Sequence, residues 1–295
     1  MAYACIDIGS NTTRLLVAEP AEGRLRELMT QRAFTSIGTA IRKGRISDEK
    51  IGETAEVVAR QARLARELGA EDIAVVATAA VRSAKNQDEF GAAIEAESGL
   101  TVRVLTGHEE ARLAFLGATR TFSGPLDGSI AVVDVGGGST ELVIGTLAAG
   151  ATWEESFRIG SGFLADSYLH SDPPSVAELE AVRLHVAGTF EGLSVPPALH
   201  AVATGGSANA LRRLVGAELV YETLERAIRI LASTPIAQVA KRFELDPERV
   251  RVLPAGVLIF EEMSETLGLP LSVGKGGVRE GVILDFLSPD LALSG

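Results

Sequence analysis

Two short segments carry residue types that can hold phosphate together with a hard cation. Asp134-Val-Gly-Gly-Gly-Ser-Thr-Glu141 sets three consecutive glycines after an apolar run. Lacking Cβ atoms, Gly136, Gly137 and Gly138 let backbone N–H groups approach an anion, and Ser139 and Thr140 add hydroxyl donors. Asp134 before the turn and Glu141 after it are oxygen ligands of the kind that Mg²⁺, or Mn²⁺ in its place, takes when carried in with phosphate. Asp7-Ile-Gly-Ser-Asn-Thr-Thr13 repeats the pattern without a gap, at an offset of 127 residues. Gly9, Ser10, Asn11 and Thr12 stand where the glycine turn stands, and Asp7 stands where Asp134 does, as a further metal candidate. A structural glycine-rich hairpin is the plainer reading of either segment alone. A matched pair, one loop per domain, is what gripping a phosphate chain from both sides of a cleft requires. Neither ends in the Gly-Lys-Ser/Thr of a P-loop, and neither is a G-x-G-x-x-G turn.

Other places bear chemistry less distinctly. Arg82 follows a buried strand, where a βα turn would present its planar fork of donors, better suited to phosphate than an ammonium is. Thr204-Gly205-Gly206-Ser207-Ala-Asn209 follows a strand and opens a helix, an arrangement that can bind an anion at the helix N-terminus. A structural strand-to-helix turn accounts for the same residues equally well. Glu109 and Glu110 lie near the start of a helix, and by residue type alone both are ordinary first-turn acids. Arg279-Glu280 reads as an internal ion pair that locks the last helix. His108, His170, His185 and His200 lack ligand spacing, no G-x-S-x-G elbow occurs, and Cys5 falls in a buried strand. Zinc and triad chemistry are therefore disfavoured.

The elements that must position these residues repeat as the loops do. Tyr3–Ile6 and Ile130–Val133 are apolar runs before the loops, and Leu15–Ala18 and Leu142–Ile144 follow them, so each loop joins a hairpin. After the first hairpin the pattern predicts a strand at 24–34, a helix at 47–68 capped by Ser47 and closed by Gly69, and a strand at 73–77. A helix at 87–97 ended by Gly99, a strand at 101–105 and a helix at 109–118 complete that half. The second half offers a strand at 153–159, helices at 162–169 and 176–190, and a strand at 201–203. Three further helical stretches, a strand at 271–273 and a final helix follow. Both halves read βββ and then alternating α and β, a duplicated mixed-sheet α/β domain. Turn signals in Thr121–Gly128 put the division at 1–124 and 125–295, with the last helix free to pack back on the first domain.

Composition narrows the function. The 295 residues hold 28 Lys and Arg against 39 Asp and Glu, a net charge of −11, which speaks against a general binder of nucleic acid or membrane surfaces. One cysteine excludes an internal disulfide framework. The opening Met1-Ala-Tyr-Ala-Cys-Ile-Asp7 runs into a strand without a basic leader, so a soluble cytoplasmic protein is expected. Residues 24–45 reverse the balance, with Arg24, Arg26, Arg32, Arg42, Lys43 and Arg45 against Glu27. They read either as a patch that guides a polyanion or as solvated strand-face arginines.

Asp7-Ile-Gly-Ser-Asn-Thr, Thr78-Ala-Ala-Val-Arg82, Gly107-His-Glu-Glu-Ala-Arg112, Asp134-Val-Gly-Gly-Gly-Ser-Thr-Glu141 and Gly276-Gly-Val-Arg-Glu-Gly281 occur in that order along nearly the whole chain. Together they resemble the exopolyphosphatase / guanosine pentaphosphate phosphohydrolase family of the actin, sugar-kinase and Hsp70 superfamily. Ala79 departs from the Ser often found there, and the chain has only the two-domain core of longer members. The resemblance implies two ribonuclease-H-like (actin-like ATPase) domains with an interdomain cleft, and Mg²⁺-dependent release of orthophosphate from the end of inorganic polyphosphate. It implies that Glu110 is the base for the attacking water, that Asp134, Glu141 and Asp7 serve the metal, and that Arg82 and the loops hold phosphate, with Gly205, Gly206 and Ser207 on distal phosphates. Guanosine pentaphosphate is the alternative substrate, and a homodimer is expected. From other classes, a nucleotide switch shares the loops but needs an adenosine pocket, and a non-catalytic polyphosphate or alarmone sensor would need only the loops.

Overall fold

Apolar residues run almost unbroken through Ala2–Ile8 and Val75–Ala77, and a strand hides such a run only when both faces of its sheet are covered. The computed structural model, which describes residues 1–21 and 24–291 (backbone alone at 42 and 288–291), shows that arrangement in each of two units. Met1–Thr121 and the chain from Gly276 onward form the first unit, and Phe122–Lys275 the second. The sequence-based division at 124/125 lies three residues later, and the final helix is grouped with the first unit.

The first unit runs β1 (Ala2–Ile8), β2 (Thr12–Ala21), β3 (Arg24–Phe34), a small hairpin of β4 (Ile41–Arg42) and β5 (Arg45–Ile46), α1 (Asp48–Glu67), β6 (Ala70–Ala77), α2 (Ala79–Ser83), α3 (Gln87–Ser98), β7 (Val102–Val104) and α4 (Gly107–Thr121). Its sheet has the order β3-β2-β1-β6-β7, antiparallel through β1 to β3 and parallel through β1, β6 and β7. Side chains alternate along β1. Ala4, Ile6 and Ile8 join Ile51, Ala55, Val58, Phe90 and Ile94 of α1 and α3 on one face, while Tyr3 and Cys5 face the other. Ser47 caps α1 by accepting from Lys50 N at 3.3 Å, and Gly99 ends α3 with φ +71°.

The second unit runs β8 (Ile130–Val135), β9 (Thr140–Thr146), β10 (Gly150–Phe157), α5 (Ser161–Tyr168), α6 (Val176–Phe190), β11 (His200–Thr204), α7 (Gly205–Val215), β12 (Glu218–Leu219), α8 (Tyr221–Ser233), α9 (Ile236–Phe243), α10 (Pro247–Leu267) and β13 (Leu271–Val273). Its sheet order, β10-β9-β8-β11-β13-β12, repeats that of the first with one added edge strand. Four helices, not the expected three, separate β11 from β13. Glu244 closes α9 with φ +53°, and Asp246 caps α10 with Pro247 in its first turn. The sequence pattern also omits α2, the β4–β5 hairpin and β12, each too short to show a periodicity.

The last helix, α11 (Val278–Leu291), rejoins the first unit. Val278, Val282, Ile283 and Leu287 complete the face made by Tyr3, Cys5, Leu16, Leu105 and Leu113. The crossing with α4 is so close that a Cβ on Gly117 would stand 1.9 Å from Gly277 O, and one on Gly281 would stand 1.9 Å from Leu113 O.

Candidate functional site

In the first unit β1, β6 and β7 are parallel neighbours, so their C-terminal ends deliver the 7–13 loop, α2 and the start of α4 to one edge of the sheet. That edge is where open α/β sheets hold ligands. The loop is tied from behind. Gly9 N donates to Thr12 O at 3.0 Å, Gly38 N to Ser10 O at 2.8 Å, and Ser36 N to Asn11 O at 2.9 Å. Asp7 is half-buried, yet its Oδ1 is shut away from solvent and has no hydrogen-bond partner among the described residues. Burial pushes its carboxyl above the usual range, while Arg279 and then Arg14 pull it down. Arg279, itself buried, also donates to Leu15 O at 3.3 Å and lies 3.7 Å from Glu280, the ion pair expected of the last helix.

Arg82 and Glu110, which belong to separate motifs, meet here. Arg82 Nη1 donates to Glu110 Oε2 and to Leu105 O, each at 2.8 Å, and Glu110 is 7% exposed. Its neighbour Glu109 has the ordinary first-turn role. It accepts from Thr106 N and Oγ1 at 2.9 Å and pairs with Arg103, contacts that hold its carboxyl at about 2. Asp285 of α11 grips Arg112 of α4 through two bonds of 3.0 and 3.1 Å, which fixes the helix that carries Glu110.

The second unit repeats the arrangement at the ends of β8 and β11. Gly136 N donates to Ser139 O at 3.0 Å, as Gly9 does to Thr12. Asp134 pairs directly across the hairpin with Glu141 and on its other side with Thr204, and its Oδ1 is 2.7 Å from where a Gly205 Cβ would stand. Glu141 is buried and accepts from Ser156 Oγ at 2.9 Å. Thr140 is turned inward, its hydroxyl donating to Ile159 O at 2.7 Å, so it is not presented to solvent with the glycines. Thr204 Oγ1 and Ser207 Oγ are buried without a hydrogen-bond partner among the described residues. Asp134, Glu141, Gly136–Ser139 and Gly205–Ser207 are thus gathered on one sheet edge.

Sequence reasoning missed two contributors to this edge. Arg249 of α10 is buried with its guanidinium 2.5 Å from a Gly206 Cβ position; its only signal is a place two residues before Arg251, which heads the apolar run from Val252 to Phe260. Gly160-Ser161-Gly162 packs on the glycine loop so closely that a Gly160 Cβ would meet Gly138 N at 2.6 Å, and its signal is a Gly-Ser-Gly step between strand and helix. The basic run at 24–45 is dispersed along the eleven residues of β3 and over the β4–β5 hairpin. Arg26 pairs with Glu19 and Arg45 with Glu89, while the Arg42 side chain lies outside the described residues. Linear proximity does not make one patch there, because an extended strand spreads its side chains over roughly 3.3 Å per residue.

Asp134 and Glu141 suit a hard cation in donor chemistry, and so does the orphaned Asp7 oxygen in its own unit. Among the described residues no three His, Cys, Asp or Glu side chains gather as a complete cage. Mg²⁺ commonly takes only one or two carboxylates, with substrate phosphate and water filling its shell, so this donor set fits.

Comparisons with known proteins agree with this geometry. The model of the Ppx/GppA phosphatase family matches residues 16–289. The chain is 32% identical to Exopolyphosphatase 2 of Mycobacterium tuberculosis over 98% of both proteins. It is 28% identical to the guanosine-5′-triphosphate,3′-diphosphate pyrophosphatase of Aeromonas hydrophila over 97% of this chain and 59% of that one. The crystal structure of the Aquifex aeolicus Ppx/GppA family member matches with TM-score 0.83 at 30% identity over 98% of both chains. An exopolyphosphatase from Cytophaga hutchinsonii, 20% identical, shares the fold with TM-score 0.86 over 98% of both chains. With two mixed-sheet units of the expected actin-like type and a family match over most of its length, the chain belongs to the Ppx/GppA phosphatase family.

Proposed function

We propose that the protein is an exopolyphosphatase that hydrolyses the terminal phosphoanhydride bond of inorganic polyphosphate and releases orthophosphate. The observation that carries this reading is the buried Glu110 held by Arg82 at 2.8 Å, on the same sheet edge as a backbone loop suited to phosphate. Full-length similarity to a mycobacterial exopolyphosphatase supports it. Glu110 takes a proton from water as the oxygen attacks the terminal phosphorus; the P–O bond to the rest of the chain breaks, and the shortened chain leaves as an anion. Such a reaction needs little covalent help, so positioning and charge neutralisation supply most of the rate. Arg82 orients Glu110 and retains donors for a phosphate oxygen. The loop amides hold phosphates, and Gly205, Gly206, Ser207 and Arg249 offer donors to phosphates further along.

Mg²⁺, with Mn²⁺ as substitute, belongs to the proposal. Asp134 and Glu141 would hold it in one unit and Asp7 would serve it in the other, and when bound it neutralises phosphate charge. A cytoplasmic homodimer that binds neither nucleic acid nor membrane completes the reading; the net charge of −11 speaks against a general nucleic-acid binder, and among the described residues no helix is long and apolar enough to cross a membrane. Hydrolysis of guanosine pentaphosphate is the second reading, favoured by the likeness to the Aeromonas pyrophosphatase. Phosphate release from long polyphosphate, short polyphosphate, guanosine pentaphosphate and ATP, each with Mg²⁺ and with EDTA, decides between them. Fastest release from polyphosphate is expected, and faster release from guanosine pentaphosphate would move the assignment to the second reading. Release from none of the four would overturn both.

A further inference from the structure

Both glycine loops are fastened through their carbonyl oxygens, and the fastening dictates where their N–H groups point. In a trans peptide the C=O of one residue and the N–H of the next point in opposite directions. In the second unit Gly136 O accepts from Ser161 N at 2.9 Å and from Ser161 Oγ at 3.1 Å, and Gly137 O accepts from Phe163 N at 2.9 Å. The N–H groups of Gly137 and Gly138 are therefore turned away from α5, side by side. Neither has an acceptor among the described residues. The first unit fastens its loop with a different segment, at one shared position and at the next carbonyl along. Ser10 O, at the repeat position of Gly137 O, accepts from Gly38 N at 2.8 Å, and Ser36, whose φ of +47° is rare for a side-chain-bearing residue, donates its N–H to Asn11 O. Strain of that kind persists only where the surroundings enforce it. Two unrelated sequences, 35–38 and 160–163, thus reach equivalent places behind equivalent loops.

We propose that Ser161 is a positioning residue: its amide and hydroxyl, with the Phe163 amide, hold the Gly136 and Gly137 carbonyls so that the Gly137 and Gly138 amides face the phosphate chain. In the first loop the segment from Ser36 to Gly38 holds Ser10 O, the counterpart of Gly137 O, and so turns the Asn11 amide as the Gly138 amide is turned. This rests on the phosphate-holding role proposed above for the glycine loop. Misplacing such donors by about 1 Å reduces turnover on the order of 100-fold.

Ser161 permits a clean test because it is the first residue of α5, where proline is tolerated, and Gly160 before it is extended (φ −143°, ψ 165°), as a residue preceding proline must be. Ser161→Pro deletes both donors, sets its ring where Gly136 O now accepts and so drives that carbonyl out of place, and keeps the helix start; Ser161→Ala deletes only the hydroxyl. In ¹⁵N-glycine-labelled protein titrated with tripolyphosphate in EDTA, the Gly137 and Gly138 amides are expected to shift in the parent and not in Ser161→Pro. Their kcat/KM for polyphosphate should differ by roughly 10- to 100-fold, with Ser161→Ala between them. Equal shifts in parent and Ser161→Pro, with activities within about threefold, would overturn the positioning role and leave the loop's own role standing. Silent glycine amides in a parent that hydrolyses polyphosphate would overturn the loop's role and this inference with it. Should Ser161→Pro not fold, amide exchange in the parent still decides. Ser161 and Phe163 should exchange slowly throughout, and Gly137 and Gly138 quickly until tripolyphosphate is added; the reverse order refutes the proposal.

Discussion

Glu110 and Glu109 are adjacent in sequence and differ in everything that matters for chemistry. Glu110 is buried against Arg82, whereas Glu109 is spent on the N-terminal cap of α4. Glu110→Gln removes a proton acceptor without changing shape, so kcat should fall on the order of 100-fold or more with KM nearly unchanged. Glu109→Gln should leave kcat within about threefold and lower stability only by a fraction of a kcal/mol, because Gln keeps the acceptor for Thr106 N and loses only the charge paired with Arg103. Steady-state kinetics and urea unfolding on both variants check the contrast, and comparable losses of kcat would remove the distinction. The two loops were legible as hairpin turns because Asp, Gly and hydroxyl residues repeat between apolar runs at an offset of 127 residues. The Arg82–Glu110 contact was not, since it spans 28 residues and depends on β6 and β7 lying side by side. Thr140 was misjudged for a related reason: nothing in a hydroxyl's identity says that it will turn inward to Ile159.

At the scale of elements, α4 is held by what α11 lacks. With no room for even one methyl group at Gly281, Gly281→Ala must push the two helices apart, a strain of about 3 kcal/mol or more. Because α4 carries Glu110, turnover should fall together with the melting temperature; an unchanged melting temperature would show that the crossing yields freely. Two helix starts also respond to acid. Glu109 on α4 and Glu178 on α6, which accepts from Ser175, His170 and Ser171, are both held at about 2 against an ordinary 4.5. A carboxyl lowered by folding stabilises the native state above its unfolded value and loses that effect as pH falls through the folded one. Stability should therefore decline between about pH 4.5 and 2, and less steeply in the double variant Glu109→Gln, Glu178→Gln. Equal slopes by acid-titrated circular dichroism would refute the assignment. Long elements such as α1, α3 and α6 were legible from period and caps alone. The left-handed turn at Glu244 was not, because nothing in a glutamate announces a positive φ, although Asp246-Pro247 just after it marks where α10 begins.

For the whole molecule, duplication was legible in the matched loops, and the return of the last helix to the first domain was legible as an allowed packing. Two matched loops imply two domains, but only the apolar face left on β1 and α4 requires the last helix to return to the first. Residues 122–275 expressed alone should unfold cooperatively in urea. Residues 1–121 should not, until 276–291 are joined to them through a flexible linker. Cooperative unfolding of 1–121 by itself would mean that α11 is dispensable to that core. The same interruption sets a schedule during synthesis. At about 5–20 residues per second, roughly eight to thirty seconds separate the emergence of Thr121 from that of Gly276. The whole of the unit encoded second emerges during that interval, while the one encoded first waits with Tyr3, Cys5, Leu16 and Leu113 uncovered. A nascent chain stalled before Gly276 would therefore display a ready target for chaperones and proteases, and the cell could tell an unfinished copy from a finished one by that face alone.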